Sequence, residues 1–509
     1  MDGPRKRHCW ECRRRCLVCD STEPVCKRCS ASGIECLGYG DVKPVRFKWL
    51  APGRVKSRGR KRNRSPSDES ESNCSDIITS TTTELAYTTI NTHLAISRFE
   101  MRTEACILAE AAKYFNSCIY QDLIPIQELG RNPHIYPLSD THLQVAAISP
   151  DYLRYGMLCM TLSHRINRTR SEPQYKALIH KFYLYWGLAL RSLSEQLDTE
   201  ERRSDDMVLA GVLTLLLTDV QQGTSLNWRC HLEGVYKLIA LRGGLQAVAG
   251  SRSLEPLLLV LLFIAVIGNT TCPASDLTMT GSQFDALDFL LERFSVAVSS
   301  FHTCPLPLFA EIIKTNHLRT RATRHCATRA EDLSQEAYEI LERIHCFSPE
   351  GWAESKDLSR EDWLLIGKVY RAAVALYCIL SLQSLSVLPT TPMLRAHCAS
   401  HGQLLTALVN EGLSSQRMKR FMIWPLVVLG VEAVHGGAAM RAFIAKLLPE
   451  MSRDVGTYVP LTAKRVLESF WGSGETRWDA CFDRPYAFTT QIAVDISRML
   501  LLTKGHAPK

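Results

Sequence analysis

Apolar residues recur along most of this chain at the three- and four-residue spacing of amphipathic α-helices. In Ala105–Ile119, the apolar positions Leu108, Ala112, Phe115 and Ile119 fall on one stripe. A stripe of this kind predicts a helix that buries one face and leaves the other in water. We therefore expect helical structure to begin at about residue 97.

A second amphipathic segment begins near Ser171. Ser171 and Gln174 have the spacing of a capping box and Pro173 follows the cap, so the sequence predicts that a helix begins at this point. The buried stripe of this helix is predicted to comprise Leu178, Phe182, Tyr185 and Ala189.

A third helix is predicted over Cys230–Arg242. It should end at Gly243 and Gly244, because glycine tolerates the left-handed backbone of a helix end. The buried stripe of the third helix is predicted to comprise Leu232, Val235 and Ile239.

Similar patterns predict helices over Asp362–Ser384 and Leu404–Leu413.

Two further segments, Met207–Asp219 and Pro256–Gly268, are apolar nearly all round and predict buried helices. The most apolar run, Leu257–Ile267, has eleven residues, whereas a membrane span needs about 17–25. We expect a core helix there and no membrane span. Alternating strand-like patterns are not evident, so the predicted fold class is all-α, with one large helical domain over residues 97–509.

Charge is distributed unevenly along the chain. Of 60 Lys and Arg residues, 18 lie in residues 1–64 against 6 of the 52 Asp and Glu residues, which leaves 42 against 46 afterwards. The first 64 residues therefore carry a net charge of +12 and the remainder −4. Such a concentration predicts a polyanionic partner, most simply double-stranded DNA.

Residues 41–96 are predicted to be a largely disordered linker, basic at first and rich in serine and acid from Ser65 to Asp76. Its basic part predicts a nuclear localisation signal, contacts with the DNA backbone, or only a solvated linker. Heptad repeats for a coiled coil are not evident in residues 37–100. The basic residues concerned are Lys56, Arg58, Arg60, Lys61, Arg62 and Arg64.

The strongest motif lies in residues 1–40, where cysteines follow the spacing C-x2-C-x6-C-x6-C-x2-C-x6-C. In a reducing compartment such spacing favours metal binding over disulfides. Six thiolates cannot complete two separate tetrahedral zinc sites, so two zinc ions would share two sulfurs. In a two-fold arrangement, Cys9 and Cys26 are the natural bridges. The six predicted ligands are Cys9, Cys12, Cys19, Cys26, Cys29 and Cys36.

These six cysteines, with the basic run that follows Cys12 and with Pro24, resemble the fungal binuclear zinc cluster transcription factors. The resemblance implies two short helices around two zinc ions, one after each CxxC pair. Basic side chains of the first helix are expected to donate to guanines of a CGG triplet in the DNA major groove. The segments 132–139, 148–168 and 228–244 are similar to parts of the regulatory domain attached to such clusters. The predicted DNA-binding residues are Arg13, Arg14, Arg15, Lys27 and Arg28.

Two positions depart from the commonest family pattern, because Cys16 and Val18 stand where many members carry Lys or Arg. Cys16 is interpreted either as a chance replacement or as a reactive or alternative ligand, since Cys16 and Cys19 form a third CxxC pair beside Arg15. Base recognition is therefore less firmly predicted than zinc binding.

Motifs typical of hydrolases, zinc proteases and nucleotide-binding enzymes are not found, so the chain is predicted not to be an enzyme. His231 is interpreted as a paired or exposed histidine rather than a ligand. The basic segment Met1–Arg7 is followed by no apolar run, so we expect no secretory signal and a reducing compartment. The basic residues 56–64 favour the nucleus as that compartment. The predicted partners are double-stranded DNA, the transcription machinery and, left open, a second copy of the chain. The alternative hypothesis is a zinc-stabilised protein-interaction regulator that does not recognise DNA sequence.

Overall fold

A computed structural model describes two compact units, Met1–Arg62 and Asn63–Lys509. In the first unit, the described residues include the short helix α1 at Lys27–Ala31, and Cys12 is also helical. The predicted boundaries at residues 40 and 96 lie outside the described residues. The described residues are 9, 12, 19–22, 25–31, 36, 104–130, 132, 135–170, 172–203, 205–223, 228–251, 254–296, 304–324 and 330–489.

The described part of the second unit consists of helices and loops, without a strand, which agrees with the predicted all-α class. The α-helices are α2 Glu104–Tyr114, α3 Tyr120–Gln127, α4 Asp140–Ala147, α5 Asp151–Arg168, α6 Tyr175–Leu197, α7 Asp206–Gln222, α8 Trp228–Leu241, α9 Leu245–Ala249, α10 Glu255–Thr270, α11 Thr280–Asp285, α12 Leu287–Val296, α13 Leu306–Arg324, α14 Ala330–Cys346, α15 Pro349–Glu354, α16 Arg360–Ser384, α17 Pro392–Ser414, α18 Ile423–Val455, α19 Val459–Ser473 and α20 Trp478–Cys481. Short 3-10 turns lie at Ala274–Asp276 and Lys419–Phe421, and a π-helical turn at Phe115–Ile119.

The first predicted helix is confirmed as far as Tyr114, after which the backbone widens into the π-helical turn. Asn116 in this turn donates to the Leu138 carbonyl oxygen at 2.8 Å and accepts from the Leu138 amide at 2.7 Å. The turn therefore ties α3 to the segment that leads into α4. A contact 22 residues away along the chain cannot be predicted from local periodicity.

The predicted capping box rests on Ser171, which lies outside the described residues. Helix α6 begins at Tyr175, so Gln174 precedes the helix instead of lying within its first turn, and no side-chain cap hydrogen bond forms there. Gln174 instead donates to the Glu172 carboxylate. The predicted stripe is confirmed, because all four of its residues are buried.

The predicted end of helix α8 is confirmed. Gly243 and Gly244 have φ angles of 88° and 94°, and the Gly244 amide donates to the Ile239 carbonyl oxygen at 2.9 Å. The left-handed backbone at these two glycines changes the direction of the chain, so that α9 begins at the next residue, Leu245.

Helix α10 lies between two hydrophobic cores and contributes to both. Leu257, Leu261 and Ile264 pack in the core formed largely by α5–α8. Leu262 and Val266 pack in the larger core, to which α13, α16 and α18 also contribute. The prediction of a buried core helix is thus confirmed, and its all-round apolar surface is explained by two cores on different faces.

Two helices, Arg360–Ser384 and Ile423–Val455, are long and apolar enough by length and composition to cross a membrane. Within the domain, however, 83% and 61% of their most apolar windows are buried. Both helices contribute to the larger core, in which the side chains of Trp363, Tyr377 and Trp424 are almost fully buried.

The C-terminal end of α10 is closed by a fully buried arginine. Arg319 on α13 donates to the carbonyl oxygens of Asn269 and Cys272 at 3.1 and 3.0 Å. It also donates to Tyr377 Oη at 3.2 Å and forms an ion pair with Asp479 at 2.8 Å. The guanidinium satisfies the last carbonyls of the helix and complements the negative end of its dipole.

Candidate metal centre

All six predicted cysteine ligands belong to the described residues and converge on one small volume. Five are essentially excluded from solvent, and Cys36 is half-buried. These cysteines are the only buried apolar residues among those described in this module. Burial of so many thiols together indicates a site built around the sulfurs themselves. The five excluded residues are Cys9, Cys12, Cys19, Cys26 and Cys29.

Each CxxC pair folds into the same local turn. The Cys12 amide donates to Cys9 Sγ at 3.3 Å, and the Cys29 amide donates to Cys26 Sγ at 3.3 Å. Helix α1 begins directly after Cys26, and the Ser30 amide donates to the Cys26 carbonyl oxygen at 3.2 Å. The repeated spacing in the sequence therefore corresponds to a repeated backbone geometry, which directs both sulfurs of each pair to one side.

The sulfurs form two groups of four, each with its ligand atoms within 4.8 Å of one another. Cys9 and Cys26 belong to both groups. The first group is completed by Cys12 and Cys19, and the second by Cys29 and Cys36.

The spacing of the sulfurs suits a tetrahedral metal. With zinc–sulfur bonds of about 2.3 Å, tetrahedral sulfurs lie about 3.8 Å apart. Cys9 Sγ lies 3.6 Å from Cys26 Sγ and 3.8 Å from Cys29 Sγ. Cys12 Sγ lies 3.6 Å from Cys26 Sγ and also 3.9 Å from Cys29 Sγ, which belongs to the other group. The donor set can therefore hold metal ions, and all-thiolate donors favour zinc among the common ones.

The electrostatics of the cluster also call for a cation. Burial raises the pKa of the Cys9 and Cys12 thiols and raises the pKa of Cys29 to about 12. Ionising several enclosed thiols together therefore requires a compensating positive charge, which a bound metal ion provides.

Asp20 organises the segment between the two halves. One carboxylate oxygen accepts from the amides of Thr22 and Lys27 at 3.0 and 3.2 Å, and the other accepts from the Arg28 amide at 3.0 Å. These bonds, those from Thr22 first, lower the pKa of Asp20. Asp20 thus caps the first turn of α1. Sequence analysis missed this role because a cap seven residues before the helix has no local signature.

Two of the predicted DNA-binding residues, Lys27 and Arg28, are described and lie exposed in α1, beside buried Cys26 and Cys29. The other predicted residues lie outside the described residues. They are Arg13, Arg14, Arg15, Lys56, Arg58, Arg60, Lys61, Arg62 and Arg64, together with Cys16.

Comparison with known families decides the class of the helical region. The model of the fungal specific transcription factor domain matches residues 111–484, most of the described helices. The chain belongs to this family. This fungal specific transcription factor domain accounts for α3–α20, whereas the cysteine cluster lies before the matched residues.

Two individual proteins are also similar to this chain, one over nearly its whole length and one over a short segment. The "Phomenoic acid biosynthesis cluster-specific transcriptional regulator" of Leptosphaeria maculans is 51% identical over 501 residues, covering 98% of this chain and 92% of that protein. The "Acriflavine sensitivity control protein acr-2" of Neurospora crassa is 43% identical over 47 residues, 9% of this chain and 7% of that protein. No solved structure matches. The chain is thus similar to a transcriptional regulator over nearly its whole length, and proteins of this class are in general not enzymes.

Proposed function

We propose that this chain is a nuclear transcription regulator that binds DNA through two zinc ions held by six cysteines, with Cys9 and Cys26 bridging both ions. Residues 1–40 form the DNA-binding module, 41–96 the linker, and 97–509 the regulatory domain. The target sequence contains CGG triplets. The DNA contacts are assigned to Arg13, Arg14, Arg15, Lys27 and Arg28.

The observation that carries this proposal is that the two four-sulfur groups share Cys9 and Cys26. Two tetrahedral ions need eight ligand positions, and six sulfurs supply eight only when two of them are shared. The same two residues begin the two CxxC turns. Zinc bound there supplies the positive charge that keeps six thiolates together, and so links metal binding to folding of the module.

The basic side chains of the first 64 residues support DNA as the partner. Lys27 and Arg28 are exposed on α1, whose opposite side is anchored by Cys29 in the cluster. Exposed lysine and arginine side chains beside the metal centre can bind DNA phosphates or donate to guanine O6 and N7 in the major groove. The basic segment from Lys56 to Arg64 would add phosphate contacts and nuclear import.

Similarity to the Leptosphaeria maculans regulator over 98% of the chain supports a pathway-level role. We infer that this protein regulates genes that lie together in a biosynthetic cluster, with the helical domain receiving the regulatory input. Because the two sequences are 51% identical, the genes of such a cluster should be searched first for binding sites of this protein.

The test is a titration of zinc-loaded, full-length protein with a duplex containing CGG and with a duplex in which only that triplet is changed, at several salt concentrations. We expect tighter binding to the CGG duplex at every salt concentration and a steep fall of both affinities with salt. The variant Lys27→Ala should weaken binding, whereas Lys237→Ala in α8 serves as a matched surface control.

Equal affinity for the two duplexes at every salt concentration would overturn sequence-specific binding and favour the zinc-stabilised protein-interaction regulator. Duplexes with one and with two triplets test the homodimer, because a dimer should gain affinity from a second half-site only at certain spacings.

A further inference from the structure

Three histidines from two helices meet on the surface of the helical domain. His345 lies in the last turn of α14, and His397 and His401 lie on α17. The ring centroid of His345 is 5.7 Å from that of His401 and 6.2 Å from that of His397. This cluster belongs to the second unit and is unrelated to the cysteines.

The spacing of the two histidines on α17 suits one shared ion. Residues four apart on a helix lie on the same face, one turn above the other. Paired histidines at this spacing bind one zinc ion in helical metalloprotease motifs. His345 approaches the same face from α14, and so supplies a third imidazole from a separate element.

The three imidazoles lie near one another, but their ligand nitrogens do not all come within 4.8 Å of one another as those of the cysteine groups do. With metal–nitrogen bonds of about 2.0–2.1 Å, imidazole centroids lie about 3.2 Å from the ion, and two tetrahedral ligands place their centroids about 5.2 Å apart. The observed 5.7 and 6.2 Å exceed this by about 1 Å or less. His345 and His397 are exposed, so their rings can turn about the side-chain bonds toward a common point.

The charge state of the rings is suitable as well. Partial burial of the His401 ring lowers its pKa to about 4, and repulsion from His345, His397 and Arg371 adds to the effect. Neutral imidazoles have a free lone pair for a metal ion. The positive charge of Arg371 opposes cation binding and should keep the affinity moderate.

We propose that His345, His397 and His401 bind one imidazole-preferring divalent transition-metal ion, of the Zn²⁺ and Ni²⁺ class, on the surface of the regulatory domain. Three protein ligands leave a fourth position open to water or to a partner's side chain. An ion at this point cross-links α14 and α17, so that metal availability changes the stability of this part of the domain.

Nickel serves as the probe, because it distinguishes this site from zinc bound by the cysteines. Full-length protein whose cysteine cluster is loaded with Zn²⁺ is dialysed against Ni²⁺ at pH 7.5, and both metals are counted by mass spectrometry. Wild type should bind one more Ni²⁺ than the variants His345→Ala, His397→Ala and His401→Ala, at unchanged zinc content. Each variant should bind Ni²⁺ about tenfold more weakly or worse.

His180→Ala, which removes an exposed histidine from α6, is the matched control and should bind Ni²⁺ like wild type. In addition, Ni²⁺ should raise the Tm of wild type and of His180→Ala but not that of the three variants. Equal nickel content in wild type and His397→Ala, with both folded by circular dichroism, would overturn the proposal. So would an equal loss in His180→Ala, since binding would then be a property of scattered surface histidines.

Discussion

Cys26 and Cys36 differ in what their removal should do to the metal centre. Cys26 is completely buried and belongs to both four-sulfur groups, whereas Cys36 is half-buried and belongs to one. Cys26→Ala should therefore abolish binding of both zinc ions, whereas Cys36→Ala should retain at least one at reduced affinity. Zinc content of the full-length variants after dialysis, measured by mass spectrometry, checks this.

Cys16→Arg provides the companion variant, because each four-sulfur group already has four ligands without Cys16, which lies outside the described residues. It should keep both zinc ions and bind DNA more tightly, since it adds a cation beside Arg15. Loss of zinc from Cys16→Arg would make Cys16 a ligand. Loss of the same amount of zinc from Cys26→Ala and Cys36→Ala would contradict the sharing of Cys26.

Arg319 is the buried charge on which the helical domain depends most directly. Arg319→Met removes the donor to the Asn269 and Cys272 carbonyl oxygens and the cation paired with Asp479, whose carboxylate keeps the Ala274 amide as a donor. We expect the free energy of unfolding to fall by about 3–5 kcal/mol, because buried acceptors are left without donors. Chemical denaturation of the purified domain variants measures the change.

Arg321→Met, two residues further along α13, is the control. Arg321 pairs with Glu336 at 2.6 Å, but both side chains are about one-third exposed. Its loss should cost less than about 1 kcal/mol. Similar costs for the two variants would mean that Arg319 is dispensable as a helix cap.

Functional residues could be predicted from the sequence only where the residues that act together lie close to one another along the chain. The cysteine ligands could be named because their spacing is local. Arg319 and Asp479 are 160 residues apart, and nothing in either segment marks them as partners. His345 and the α17 histidines were likewise missed, because each segment alone contains ordinary histidines and only the packing of two helices joins them.

At the scale of helices, the left-handed ends of α7 and α19 allow a paired test. Gly223 ends α7 at φ +62°, and a Cβ there would lie 2.9 Å from the backbone of Val459. Gly474 ends α19 at φ +78°, with open space around it. Gly474→Ala should cost about 1 kcal/mol from backbone conformation alone. Gly223→Ala should cost clearly more, because a backbone atom cannot move aside as a side chain can.

Thermal unfolding of both variants provides the measurement. Equal reductions in Tm would show that the contact of α7 with the start of α19 is loose.

Local sequence patterns predicted where helices α8 and α16 lie, because their apolar stripes and glycines act over a few residues. They missed the start of α6, which lies at Tyr175, and the π-helical turn, where Asn116 bonds to Leu138.

At the scale of the whole domain, buried histidines should make stability depend on pH. Burial lowers the pKa of His164, which lies 3.1 Å from Tyr114 Oη and 3.5 Å from Asp122. Its folded pKa lies below the unfolded value of about 6.5, so the unfolded chain binds more protons. His164 therefore makes its full contribution to the free energy of unfolding above a pH of about 6.5, and this contribution is lost as the pH falls below that value.

We therefore expect Tm to fall between pH 7.5 and pH 5. His164→Gln, which retains hydrogen-bonding groups but cannot become charged, should show a shallower decline over the same range. Asp122, whose pKa is also lowered, contributes only at more acidic pH and so does not blur the comparison. Parallel curves for the two proteins would exclude His164 as the source of the decline.

Helix α10 also determines how the regulatory domain can be divided for experiments. Because Leu257 and Leu262 belong to different cores, a fragment that ends before α10 lacks one wall of the first core. A fragment that begins after α10 lacks one wall of the second, and a fragment that includes α10 exposes the leucines of the missing half to water. The helices on either side of α10 therefore have to be produced, and unfolded, together.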